Sequence, residues 1–256
     1  MRVAPGVEML ELSAMLLDGP GTLCPTLLWD SQEVVLVDAG LPGMAQQFRE
    51  ALKQACVPFE KLTKIFITHH DIDHIGSLGE LLRTSPNRIE VWAHSEEVPY
   101  IQGERPPIKM TPEMQKQMEE QMKDLPAKQR RAMRANMEAM RKQKLRVDRT
   151  IGDGEMLACG GGIQVIYTPG HSPGHVCLYH PATKTLIAGD ALFVEEGRLV
   201  PAPPFINADT RMAFASLKKL SRCDIVHVIA YHGGIFRDNP NGRLAQILHE
   251  IEAGAL

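Results

Sequence analysis

Lys64-Ile65-Phe66-Ile67-Thr68-His69-His70-Asp71-Ile72-Asp73-His74-Ile75-Gly76 runs an apolar strand into three imidazoles and two carboxylates within six positions. Such groups lose hydration on burial and the carboxylates repel one another; a divalent cation offsets both costs. Imidazole nitrogen and carboxylate oxygen without thiolate suit zinc, with iron or manganese as alternatives. The segment therefore reads as a metal site at a strand end.

The same design recurs downstream. Ile163 to Thr168 leads into Pro169-Gly170-His171-Ser172-Pro173-Gly174-His175, Leu186 to Ala188 into Gly189-Asp190, and Val226 to Ala230 into Tyr231-His232-Gly233-Gly234. Strand ends are rigid enough to hold a ligand set and open enough for a substrate to reach it. Apolar and β-branched runs at 23–28, 34–37, 65–68, 89–93, 163–168, 185–188 and 225–230 predict strands. Helical patterns at 43–56, 77–84, 211–220 and 243–252 lie between several of them. The alternation is that of an α/β chain with helices packed outside sheets in both halves.

One segment interrupts this rhythm. Met114, Met118, Met122 and Leu125 recur at helical spacing before Pro126, and Met133, Met137 and Met140 do so after it, which predicts a helical hairpin inserted at about 105–149. Between Pro112 and Arg146 ten Lys and Arg stand against five acids, so this segment carries +5 and the rest of the chain −8. A methionine stripe is first of all a packed face. Methionine also suits adaptable surfaces, so a lid over the site or a homodimer contact is the alternative use, with Met133 and Met137 as candidate substrate contacts.

Composition bounds the remaining choices. With 44% hydrophobic and 23% charged residues, the 256-residue chain reads as one globular domain over 1–256. A net charge of −3 gives no general attraction for nucleic acid or a membrane surface, and no run approaches the roughly 18 apolar residues of a membrane span. Glu8 and Glu11 interrupt the apolar start, unlike a signal peptide, so a cytoplasmic location is expected. The five cysteines, widely spaced and without a C-x-x-C pair, read as reduced, small buried residues.

Together these motifs resemble the metallo-β-lactamase-fold hydrolases over nearly the whole chain. That family's H-x-H-x-D-H motif is matched by His69, Asp73 and His74, and its later His, Asp and His by His171, Asp190 and His232 in order. Leu36-Val37-Asp38-Ala39-Gly40 resembles its V-D-T-G turn. The resemblance implies an αββα sandwich carrying the helical hairpin as an insertion. It also implies two zinc ions, one on His69, Asp71 and His171 and the other on Asp73, His74 and His232, with Asp190 bridging and Asp38 supporting the site from behind. Water activated by metal would be the nucleophile, and Asp73 and Asp190 the catalytic carboxylates. His175 is expected to support by hydrogen bonding, and Tyr231 and Phe193 are candidate substrate contacts. The isolated His94, His180, His227 and His249 are expected in the core or on the surface.

Asp71 departs from the family, standing where its middle histidine would be. A carboxylate also ligates zinc, and an anion there lowers the net charge of the first site. The adjacent His70 cannot simply replace it, since its side chain should start in another direction. Only 24 residues follow His232, where glyoxalase II carries a helical domain, and Phe193 stands where quorum-quenching lactonases often have tyrosine. The lack of a signal peptide also disfavours a secreted β-lactamase. The expected small-molecule substrate is a lactone, thioester or other small ester, with lactone first because the hairpin could cover an apolar tail. A mononuclear iron sulfur dioxygenase and a non-catalytic metal-binding relative are the other readings.

Asp71 offers the sharpest test at this level. Asp71→His is expected to keep metal binding while changing metal preference or rate, and Asp71→Ala to weaken the first site. Metal affinity and turnover unchanged in both variants would remove Asp71 from the ligand set.

Overall fold

Valine, leucine and isoleucine without polar alternation mark strands buried on both faces, and the chain is built around several of these. Its first part forms β1 (Arg2–Ala4), β2 (Val7–Met9), β3 (Leu12–Leu16), β4 (Gly19–Leu23), β5 (Thr26–Trp29), β6 (Val34–Val37), β7 (Leu62–Ile67), β8 (Glu90–His94) and β9 (Arg149–Ile151). The second part adds β10 (Met156–Leu157), β11 (Ile163–Tyr167), β12 (Val176–His180), β13 (Thr185–Ile187), β14 (Leu192–Glu195), β15 (Arg198–Pro201), β16 (His227–Ala230) and β17 (Gly234–Phe236). The computed structural model describes residues 1–16, 19–109, 116, 120, 122–123, 126–142 and 144–255, and of these not the side chains of 133 and 139–142.

The strands form a seven-stranded sheet, ordered β1-β2-β5-β6-β7-β8-β9, and a six-stranded sheet, ordered β10-β11-β12-β13-β16-β17. The hairpins β3-β4 and β14-β15 complete the β structure among the described residues. Period-2 geometry sends alternate side chains to opposite faces. In β6, Val35 and Val37 face a core shared with the other sheet, where Val165, Leu178, Ile187 and Ile229 meet them. Val34 and Leu36 face outward onto Phe48 and Leu52 of α1 (Ala45–Gln54). The second sheet does the same: Leu186 and Val228 turn to an outer core with Leu217, Leu244 and Ile247. An α/β sandwich with helices on both outer faces results, as expected from the sequence.

Strand direction places the site. β6, β7 and β8 run parallel, as do β13 and β16, while β11 and β13 are each antiparallel to β12 and so point the same way. Residues that follow β6, β7, β11, β13 and β16 therefore emerge at carboxyl ends: Asp38, His69, His171, Asp190 and His232. The two sheets are stitched together at this end, where Val176 N–H donates to the Thr68 carbonyl at 3.2 Å and Cys24 N–H to that of Tyr231 at 2.9 Å.

Two expectations need correction. The run 23–28 is two strands and not one, because Cys24-Pro25 lies between β4 and β5 and proline brings no N–H to a ladder. Cys56 is exposed in a left-handed turn at φ 59°, whereas the other four cysteines are buried; all five are unpaired. Short strands such as β1, β2, β9 and β12 carry too few residues or too ambiguous a pattern to stand out beforehand. Of the inserted hairpin, the second arm forms a helix over Ala127–Lys142, and its Asn136 amide donates to the Pro42 carbonyl at 3.4 Å. Most of the first arm, including Met114 and Met118, lies outside the described residues, as do the side chains of Met133 and Met140. No described helix is long and apolar enough to cross a membrane.

Gly170 makes the turn that delivers His171. Its φ is +129°, and a Cβ there would lie 2.0 Å from the backbone nitrogen of Ala213 in the helix Thr210–Leu217. Gly170→Ala is therefore expected to cost about 2 kcal/mol or more. Gly103→Ala, at φ +75° with open space around it, should cost less. Denaturant midpoints of the two variants measure the difference; equal midpoints would contradict the tight packing.

Candidate metal centre

Four imidazoles and three carboxylates converge where the strand ends meet. Three overlapping groups have donor atoms within 4.8 Å of one another: His69, Asp71 and His171; Asp73, His74 and His232; and His69, His74 and Asp190. In the first, Asp71 Oδ2 lies 3.2 Å from both His69 Nε2 and His171 Nε2. In the second, Asp73 Oδ2 lies 3.2 Å from His232 Nε2 and 3.8 Å from His74 Nε2. Asp190 reaches both, with Oδ2 3.4 Å from His171 Nε2 and from His232 Nε2 and Oδ1 3.2 Å from His74 Nε2. Every residue proposed from the sequence as a ligand thus belongs to this cluster.

The donor set fits a metal. His69 Nε2, His74 Nε2 and Asp190 Oδ1 are buried without a hydrogen-bond partner, although buried polar atoms rarely go unsatisfied. The opposite edges of the rings are spoken for. His74 Nδ1 pairs with Asp38 Oδ2 at 2.8 Å, His171 Nδ1 with Asn207 Oδ1 at 3.1 Å, and His69 Nδ1 with Thr68 Oγ1 at 3.1 Å. This arrangement fixes ring orientation and directs Nε2 inward, as in metal-ligating histidines generally.

Electrostatics agree. Burial opposes a proton on His232, yet Asp190 and Asp73 outweigh it and raise the pKa to about 10. Burial likewise disfavours charge on His74, and Asp38, Asp190 and Asp73 reverse that, raising it well above the ordinary imidazole value. The carboxylates thus call for positive charge at Nε2, which a divalent cation can supply in place of protons. Asp190 itself is held well below the usual carboxylate range: burial opposes ionisation, and His232 and His74 overcome it.

The supporting residues are equally specific. Asp38 adopts φ 66° and also accepts from Thr68 N and Oγ1, each at 2.8 Å. His175 is expended on both nitrogens, since Nε2 accepts from Asp190 N–H at 3.0 Å and Nδ1 pairs with Thr168 Oγ1 at 2.8 Å. Burial, then the neighbouring His171, pushes its pKa down to about 3, so it stays neutral. His70 turns away from the cluster, stacking on Tyr100 with centroids 4.3 Å apart.

Tyr231 corrects an expectation. Its hydroxyl is not presented to a substrate but donates to the Asp73 carbonyl at 2.5 Å, and the ring is buried 3.9 Å from that of His74. Phe193 is half-buried against His232 at 4.8 Å and lies at the site's edge. Met137 is half-buried on the inserted helix.

Sequence reasoning missed Glu97, Lys109 and Asn207, none of which sits in a histidine-rich motif. The fully buried Glu97 accepts from His70 N at 2.8 Å, Gly174 N at 2.6 Å and Ser172 Oγ at 2.7 Å, and also pairs with His70 Nδ1. It thereby ties the 69–74 loop to the 171–175 loop. Lys109 Nζ donates to Asp71 Oδ2 and lies 2.6 Å from His171 Nε2.

Fold and donor set define a metallo-hydrolase scaffold. The chain belongs to the metallo-beta-lactamase superfamily, whose family model matches residues 25–232. It is 26% identical over 210 residues to "Probable metallo-hydrolase YflN" of Bacillus subtilis (strain 168), an alignment covering 78% of this chain and 75% of that one. It is 24% identical over 213 residues to "Hydroxyacylglutathione hydrolase GloC" of Haemophilus influenzae, covering 81% and 84%. The crystal structure of a metallo-beta-lactamase family protein from Thermus thermophilus superposes with a TM-score of 0.66 at 24% identity, over 98% of this chain and 80% of that one.

Glu97 generates a stability prediction. Although burial opposes its ionisation, the bonds from His70, Ser172 and Gly174 lower its pKa. A lowered folded value means that its contribution is present above the unfolded carboxyl pKa of about 4.3 and is lost as pH falls through the folded value. Glu97→Gln should cost about 2 kcal/mol at neutral pH and Glu97→Ala about 3 to 5 kcal/mol. The gap between wild type and Glu97→Gln should narrow in acid. Urea unfolding at pH 7 and pH 4 checks it, and a gap independent of pH would contradict the assignment.

Proposed function

We propose that this chain is a metal-dependent hydrolase of a small carbonyl ester-like substrate, with thioesters first and lactones second. One observation carries the reading: buried imidazole and carboxylate atoms without partners point at a common centre beside the half-buried carboxylate of Asp73. The hydroxyacylglutathione hydrolase name of one relative favours a thioester over the lactone expected from the sequence. Zinc, held by His69, Asp71 and His171 and by Asp73, His74 and His232 with Asp190 between them, would acidify water and stabilise negative charge on the attacked carbonyl oxygen.

The remaining roles belong to the chain itself. Asp190, fixed through its backbone N–H by His175, holds the two halves of the donor set together. Asp73 is half-buried at the site, and its carboxylate would take a proton from water and return it to the departing sulfur or oxygen. Its backbone is held by the Tyr231 hydroxyl, which limits drift of the carboxylate during that transfer. Phe193 and the inserted helix would form apolar walls around the acyl group.

Metal-stripped protein should lose hydrolysis of short acyl thioesters and regain it with zinc, manganese or iron restored separately. Asp190→Ala should lower kcat/KM roughly a thousandfold, about 4 kcal/mol of transition-state stabilisation, while its circular dichroism stays native. Absence of thioester, lactone and ester hydrolysis with every metal would overturn the proposal.

A further inference from the structure

The two halves of the donor set differ in one respect that their ligand chemistry does not explain. Asp71 Oδ2 and His171 Nε2, two of the three donors of the first group, are both in contact with Lys109 Nζ. Asp73, in the second group, has ion-pair contacts only with His74 and His232 among the described residues. A lysine ammonium has three N–H donors and no lone pair, so it binds these atoms without joining them to a metal. It competes with a divalent cation for the same lone pairs.

Lys109 is well placed to persist there. The preceding Ile108 N–H reaches His70 Nε2 at 3.5 Å, which lays the segment against the wall of the site. A cation tethered this closely acts at an effective concentration on the order of millimolar, against which free metal must compete. Asp71 completes the device. An imidazole at that position would offer the amine no anionic partner, whereas the carboxylate draws it in.

We propose that Lys109 is a tethered cation that holds the first metal position, His69, Asp71 and His171, against divalent ions. The second position, Asp73, His74 and His232, fills first, and the first fills only as Lys109 swings out. This rests on the reading of the donor set as a metal site, and it adds an order and an affinity gap to that reading.

Calorimetric titration of metal-free full-length protein with zinc tests it. Wild type should take up one equivalent tightly and a second at least tenfold more weakly. His232→Ala should remove the tight equivalent. Lys109→Met should tighten the weak equivalent at least tenfold and leave the other unchanged, and Lys109→Gln should do the same; thermal melting confirms that both remain folded. Two equivalents of equal affinity in wild type, or a gap that survives both Lys109 substitutions, would overturn the proposal while leaving the hydrolase reading intact. No zinc uptake by any variant would overturn both.

Discussion

Placing three carboxylates and four imidazoles at one end of an apolar-packed sandwich is the constraint on which the rest of the structure depends. Uncompensated, such a cluster would cost several kcal/mol for each charge taken out of water. Two devices make it tolerable: positive charge at the centre, and a shell of hydrogen bonds that leaves the His69, His74 and His171 rings only one free direction each. Asp38 behind His74, Asn207 behind His171 and Thr68 behind His69 form that shell. The left-handed backbone of Asp38 is strained for a non-glycine residue, and three hydrogen-bonding contacts to its carboxylate hold it.

The sandwich supplies rigidity that loops alone would not. Each ligand loop starts at the carboxyl end of a strand whose side chains are packed on both faces, so its first residue inherits the position of the core. Glu97 then joins two of these loops across the interface between sheets. A carboxylate suits that place because four donors, two of them backbone N–H groups, converge on it and no neutral acceptor has enough lone pairs in the right plane. Thus the fold determines where the loops begin, and polar contacts determine how they end.

Much of this was legible beforehand because strand and ligand chemistry are both local. Apolar runs that stop at His69, His171, Asp190 and His232 announce strands and donors together. Asp71 was legible as a departure from a pattern. Tyr231 misled, since a tyrosine beside a ligand is as consistent with buttressing a backbone carbonyl as with facing a substrate, and only the tertiary approach of the Asp73 loop decides between them. Glu97, Lys109 and Asn207 were not legible because their roles come from contacts across 27 to 77 positions of sequence, without any periodicity. The N-terminal strands escaped for a similar reason: stretches of three residues become strands only when a neighbour pairs with them.

The placement of the inserted segment has a consequence for how this scaffold can diversify. β8 and β9 pair directly, with Trp92 opposite Arg149, so the sheet closes beneath the whole excursion between them. The excursion's ends are fixed by the sheet and its length is not; doubling such a loop costs only about 0.6 kcal/mol of closure entropy. Beyond Glu97, whose bonds to His70, Ser172 and Gly174 tie the excursion's first turn to the ligand loops, residues can therefore be gained, lost or exchanged there without disturbing the strand ends that carry the donors. Because Lys109 lies in the same excursion, a change in the inserted helix and a change in the charge beside Asp71 travel in one stretch of gene.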